Sequence, residues 1–303
     1  MSEPSSTTAR QLDPASVHTW LRRLARADAA PWLHAEVGRR MAERLQVIRV
    51  QPGEVLDWWS FGGASAALLA GAYPQARHVV VEPTEALRER SRQALAAPWW
   101  SVRRWRGQAS PVLASDEVQP GQAQLVWANM MLHAVVDPTQ TIARWQRALA
   151  VDGFVMFSCL GPGSLLALRD LYAQLGWPPP FTEFVDMHDL GDMLVQAGLA
   201  DPVMDQEVLT LSWDSPDALL AELRSIGANA APQRFAGLRT PRWRARLHQA
   251  LQGLARPDGR LYLEFEVAYG HAFKAPPRVP LSNETTVSLD DMRAMVRNKS
   301  HRG

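Results

Sequence analysis

The chain has a single cysteine, Cys159, which excludes an intramolecular disulfide and any zinc site built on several cysteines. It lies in an apolar run between Phe157 and Leu160, where a buried, inert thiol is expected. Long apolar runs are missing too: no stretch approaches the roughly 18 residues needed to span a bilayer. Nor does one sign of charge dominate, because 32 Lys and Arg against 31 Asp and Glu leave a formal charge of +1. That near-balance gives no electrostatic footprint for nucleic acid or for an anionic membrane, so neither is expected as a partner. The local exception, Arg239, Arg242, Arg244 and Arg246, has the spacing of one solvated helix face. Met1 to Pro14 is rich in Ser and Thr and lacks the charged and apolar regions of a signal peptide, so a cytoplasmic protein is expected. No metal site is expected.

What is present is enough apolar material, 47% of 303 residues, to fill one large domain or one domain with appendages. Residues 1–14 read as disordered, 15–50 as a helical lid, 51–274 as the main domain and 275–303 as a polar tail. In the lid, Trp20, Leu21 and Leu24 share one stripe. Trp32, Leu33, Val37, Met41 and Leu45 supply another after Pro31. From Val55 onward short apolar strands alternate with helices of about ten residues. The strands are Val55-Leu56, Val79 to Val81, Val102 to Trp105, Leu125 to Trp127 and Phe154 to Phe157. Such strands, without polar alternation, describe a parallel sheet covered on both faces. Later, Val208 to Trp213 and Arg260 to Tyr269 alternate as strands of an antiparallel edge do, around helices starting at Pro216 and Pro241.

A parallel α/β sheet binds ligands beyond the carboxyl ends of its strands. The first such loop reads Asp57-Trp58-Trp59-Ser60-Phe61-Gly62-Gly63. The second strand ends in Glu82, an acid able to accept from two ribose hydroxyls. Gln108 follows the expected third strand and Asn129 the fourth.

Further along stand Met187-His188-Asp189-Leu190-Gly191-Asp192, Asp201-Pro202-Val203-Met204-Asp205, Ser215-Pro216-Asp217-Ala218-Leu219-Leu220, Leu223-Arg224-Ser225-Ile226-Gly227-Ala228 and Tyr269-Gly270-His271-Ala272. With these runs the stretch from about residue 31 to 274 resembles the malonyl-[acyl-carrier-protein] O-methyltransferase family of biotin synthesis. The resemblance implies a class I methyltransferase fold, a Rossmann-like mixed seven-stranded sheet with helices on both faces and an N-terminal helical lid. It implies S-adenosylmethionine as cofactor, held by Asp57, Gly62, Gly63, Glu82, Gln108 and Asn129. The substrate implied is a malonyl thioester of acyl carrier protein or of CoA, whose free carboxylate needs a cation; Arg169 and Arg224 are the candidates.

The sequence departs from this family at its first loop. Aligned on Asp57, the pattern Asp-x-Gly-x-Gly-x-Gly places Trp59 and Phe61 at the first two glycines and keeps only Gly63. Two large aromatics there either fill space the cofactor uses or move the loop. The lid segment Ala25 to Pro31 also lacks the family's substrate-orienting tyrosine, with Asp28 the nearest acidic neighbour. His133, after the fourth strand, reads as a loop or packing histidine. Two functions follow: an active carboxyl O-methyltransferase, or a methyltransferase-fold chain that binds or scaffolds without the cofactor. A nicotinamide-dependent oxidoreductase fits the glycine pattern poorly.

Overall fold

The computed structural model describes residues 12–95 and 110–276. Its strands are β1 (Glu54–Trp58), β2 (Arg77–Val81), β3 (Val112–Leu113), β4 (Ala123–Ala128), β5 (Leu149–Leu160), β6 (Ala200–Trp213) and β7 (Leu261–Phe273). They form one sheet in the order β3-β2-β1-β4-β5-β7-β6. β1 to β5 pair in parallel, while β7 runs antiparallel to both β5 and β6. The apolar strands are explained by two cores. Val55, Leu125, Trp127 and Phe154 face one, and their chain neighbours Leu56, Val126 and Val155 face the other. A period of two along each strand thus buries both faces.

The helices are α1 (Pro14–Leu24), α2 (Trp32–Arg44), α3 (Ser60–Gly63), α4 (Ala66–Ala72), α5 (Glu85–Leu95), α6 (Pro138–Ala148), α7 (Leu166–Gln174), α8 (Met187–Gln196), α9 (Pro216–Ile226) and α10 (Pro241–Gln252). Several starts are encoded locally. The Asp13 carboxylate accepts from the backbone of Ala15 and Ser16, and Ser215 and Thr240 cap α9 and α10 with proline at the first turn. Such a cap contributes about 1 kcal/mol. Among the described residues no helix is long and apolar enough to cross a membrane.

Two expectations change. The strand beside β2 is Val112–Leu113, paired through Val80 and Val81. The expected strand at Val102 to Trp105, together with Gln108, Trp99 and Trp100, lies outside the described residues, as do 1–11 and 277–303. The loop that leaves β3 is therefore Ala114-Ser115-Asp116. Secondly, β6 begins at Ala200, eight residues before the apolar alternation, because it follows the long β7.

Register sets up the site. Trp58 lies opposite Val81, Asp57 opposite Trp127 and Ala128 opposite Phe157. The next residues of β1, β2 and β4 are Trp59, Glu82 and Asn129, so these emerge side by side at the carboxyl edge. Strand order reverses between β1 and β4, which opens the crevice there.

Candidate functional site

The loop after β1 keeps a glycine-like backbone without the glycines. Trp59 sits in the left-handed region at φ 58°, and Ala64 does so at φ 54°. A left-handed non-glycine residue costs about 1–2 kcal/mol. The Trp59 N–H donates to the Val81 carbonyl at 2.7 Å, and its buried ring packs on Trp20 of α1 with centroids 6.3 Å apart. Between the two strained residues, Ser60 to Gly63 make the single turn of α3. Gly63 is required by closeness: a Cβ there would lie 2.9 Å from the Ser65 hydroxyl and 3.2 Å from the Asn129 carbonyl. Gly62 faces Leu24 of α1, so the lid rests directly on the loop.

The lid is pinned from the other side by α5. Arg90 donates to the carbonyls of Ala27 at 2.7 Å and Asp28 at 3.0 Å, and its guanidinium lies 4.8 Å over the Phe61 ring. Asp28 itself points into solvent.

Two buried carboxyl groups stand under this loop. Asp57 accepts from the Ser60 hydroxyl at 2.5 Å. Glu82 accepts through Oε1 from the Phe61 N–H at 2.9 Å and the Ser91 hydroxyl at 2.7 Å. Its Oε2 is buried without a partner. Burial pushes both groups up to about 7, and for Asp57 the Glu82 charge adds to the effect.

Asn129 is engaged on every side. Its amide donates to the carbonyls of His34 at 2.7 Å and Gly63 at 2.6 Å, and its Oδ1 accepts from Ser158 at 2.6 Å. It clamps α2 to the loop after β1. His34, which the sequence reading missed, completes that clamp: its Nδ1–H donates to the Gly62 carbonyl at 2.8 Å. Burial lowers the His34 ring to about 4, so it is neutral at pH 7, with Nε2 a buried acceptor without a partner. The His133 ring stands nearly perpendicular, 6.4 Å away.

His133 leads into a chamber of about 570 Å³. Trp20 and Arg23 of α1, Tyr172 of α7, Arg224 of α9 and the loop residues Phe181 and Phe184 are among its walls. Its size matches small-molecule sites. Three guanidinium groups reach it. Arg234 pairs with Asp13 at 2.5 Å, and Arg23 donates to the Arg224 carbonyl at 3.2 Å. Among the described residues the Arg224 side chain has no ionic partner. Arg169 does not line the chamber. It lies on the exposed face of α7, one position past the inward Leu168, so of the two candidate cations only Arg224 is at the cavity. Asp57, Gly62, Gly63, Glu82 and Asn129 converge at the loop; Gln108 lies outside the described residues.

Glu82 permits a test of whether a nucleoside cofactor fits. A buried carboxylate oxygen without a donor, at the end of β2, is what a ribose hydroxyl satisfies, so the ribose end fits. On the other side of the loop the Trp59 ring packs on Trp20.

Comparison with known proteins gives consistent findings. No protein-family model matches the chain. A malonyl-[acyl-carrier protein] O-methyltransferase of Gallionella capsiferriformans is 38% identical over 256 residues, covering 83% of this chain and 87% of the relative. Another from Laribacter hongkongensis is 36% identical over 285 residues, covering 92% and 93%. Among solved structures, the YcgJ protein of Bacillus subtilis superposes with a TM-score of 0.52 at 10% identity, covering 78% of this chain and 98% of that one. A Bacillus halodurans protein classed among methyltransferases gives 0.52 at 15% identity, covering 78% and 99%. At such identities the likeness concerns the fold, which is that of class I methyltransferases.

Proposed function

Because this chain belongs to the malonyl-[acyl-carrier protein] O-methyltransferase family, we propose that it methylates the free carboxylate of a malonyl thioester borne by an acyl carrier protein. The observation that carries this reading is the pairing of two half-sites through one helix. Glu82, with its unclaimed oxygen, supports the loop on which α1 rests, and α1 in turn walls the chamber holding Arg224.

When bound, S-adenosylmethionine supplies an electrophilic methyl group on a cationic sulfur. Glu82 would hold the ribose hydroxyls, and the loop from Asp57 to Gly63 the methionyl part. The substrate carboxylate is already a nucleophile, so no residue need act as a base. Arg224 would orient it, and Trp20, Phe181 and Phe184 would exclude water while charge is being neutralised. The resulting ester carries no charge on its former acid end, as chain-elongating enzymes of biotin synthesis would require.

The two candidate cations separate kinetically. Arg224→Ala should raise KM for the malonyl thioester roughly 10- to 100-fold, the equivalent of one charge-assisted hydrogen bond. Arg169→Ala should stay within about twofold of the parent chain. Initial rates over a substrate series distinguish them, and equal effects would remove Arg224 from its role.

A second reading is favoured by one observation, the buried Trp59 ring in place of the family's first glycine. Under it the chain binds the carrier without methyl transfer. A thermal scan with S-adenosylhomocysteine separates the two. Cofactor product at a thousandfold excess over its Kd stabilises the native state by about 4 kcal/mol, a rise in Tm of roughly ten degrees for a domain of this size. No rise at millimolar ligand would rule out the methyltransferase reading. A rise appearing only in Trp59→Gly/Phe61→Gly would show that the two aromatics close the cofactor cleft, as the second reading requires.

A further inference from the structure

Between Leu223 and Pro257 the sequence places seven arginines, at 224, 234, 239, 242, 244, 246 and 256, and not one Asp or Glu. In a chain whose total charge is only +1, this is a one-sided block, since the remaining 25 Lys and Arg stand against all 31 Asp and Glu. The fold puts it at the catalytic end. Trp213 of β6 pairs with Leu261 of β7, six residues beyond the level at which Val267 meets Leu160, the last residue of β5. The segment that carries α9 and α10 therefore leaves and rejoins the sheet past the carboxyl edge of the parallel strands. The block begins on the chamber wall, where Arg224, Asn229 and Arg234 all contribute.

Aromatic rings hold part of this surface in place. The Arg239 guanidinium lies 3.9 Å over Phe235 and 4.3 Å over Trp243, and that of Arg246 lies 5.7 Å over Trp177. Stacked guanidinium groups keep their charge outward with less conformational freedom to lose on binding. The carboxylate facing them from a packed neighbour is Asp217 of α9, which pairs with Arg244 at 2.8 Å and lies 3.5 Å from His248. Among the described residues Arg239, Arg242 and Arg246 have no ionic partner. Amid them Leu238 is 96% exposed and Phe235 46% exposed, apolar tips surrounded by positive charge.

We propose that this arginine face, from the chamber rim at Arg224 across α10, is the docking surface for an acidic acyl carrier protein. The inference rests on the methyl-transfer reading and deepens it by naming where the substrate's carrier sits. Two features of the occupant match. Carrier proteins are small acidic helical domains, complementary to a cationic plate with apolar knobs. Their thioester hangs on an arm joined through a phosphodiester, which needs a guanidinium where the arm enters a largely apolar chamber.

The test is fluorescence anisotropy with labelled malonylated acyl carrier protein and the full chain, at low and at physiological salt. Methyl transfer to a carrier-free malonyl thioester is measured in the same preparations. Arg242→Glu, which touches no ring, should weaken binding about fivefold, and R239E/R242E/R246E on the order of fiftyfold, with affinity falling as salt rises. Arg49→Glu, exposed at the opposite end of the sheet ahead of β1, serves as the control and should bind like the parent. Equal binding by Arg242→Glu, the triple variant and the control would overturn the proposal. So would a parent chain that binds no carrier protein, or one that binds duplex RNA or anionic vesicles as tightly through the same arginines. Carrier binding without transfer would leave the docking face standing and remove the methyl-transfer reading; transfer without binding would do the reverse.

Discussion

Asn129→Ala should lower stability by on the order of 4 kcal/mol. The substitution removes the side-chain donor to the carbonyls of His34 and Gly63 and the acceptor for Ser158, all in a fully buried setting. Each buried group that loses its partner costs about 1–3 kcal/mol, against a total stability of about 5–15 kcal/mol for a domain. Chemical denaturation would read the loss directly. Asn129→Asp serves as the sharper probe, since it keeps the shape but offers lone pairs to two carbonyls that need donors. If the Asn129→Asp chain proves as stable as the parent, packing rather than the hydrogen-bond clamp holds the lid helix to the loop.

Glu82→Gln is expected to act in opposite directions on stability and on binding. Burial raises the Glu82 carboxyl from 4.5 to about 7. In that interval the native state holds a proton that the unfolded chain has released. Stability is then greatest below the unfolded value, declines as pH rises from about 4.5 to about 7, and is flat above. The decline due to Glu82 is on the order of 3 kcal/mol at about 1.4 kcal/mol per unit. Asp57, raised for the same reason, adds in the same direction. Glutamine resembles the protonated acid, so Glu82→Gln should match the parent near pH 5 and exceed it in stability at pH 8. It should also lose the stabilisation by S-adenosylhomocysteine, because an amide nitrogen replaces the acceptor Oε2. In the parent that ligand effect should grow from pH 6 to pH 8 as the carboxylate forms. Denaturation curves at the two pH values, with and without ligand, test both halves. A variant less stable at pH 8 would show that the buried charge is not a burden in the free protein.

Much of the fold was legible because strands buried on both faces leave unbroken apolar runs. Val79 to Val81 and Leu125 to Trp127 are such runs; Glu82, just past the first, follows from strand-end reasoning, whereas Asn129 was singled out through the family resemblance. The third strand was not legible. Val112–Leu113 is too short to show a period. His34 carried no local signal, since one histidine on an apolar helix face reads as packing. Its role appears only when the fold brings Gly62 to it from 28 residues away. Arg169 and Arg224 looked alike as exposed arginines on helices, and only tertiary placement separates them. The arginine face shows the same limit: its spacing was visible as a helix face, but its position at the chamber rim was not.

The left-handed Trp59 has a consequence for how this loop changes over generations. Its backbone already holds a conformation that glycine adopts without strain, so exchanging the residue would leave the path of the chain in place. Tryptophan has one codon, and a single base change turns it into a glycine codon. At this position, open and filled versions of the loop are thus one mutation apart, and a lineage can cross between them without refolding the scaffold around it.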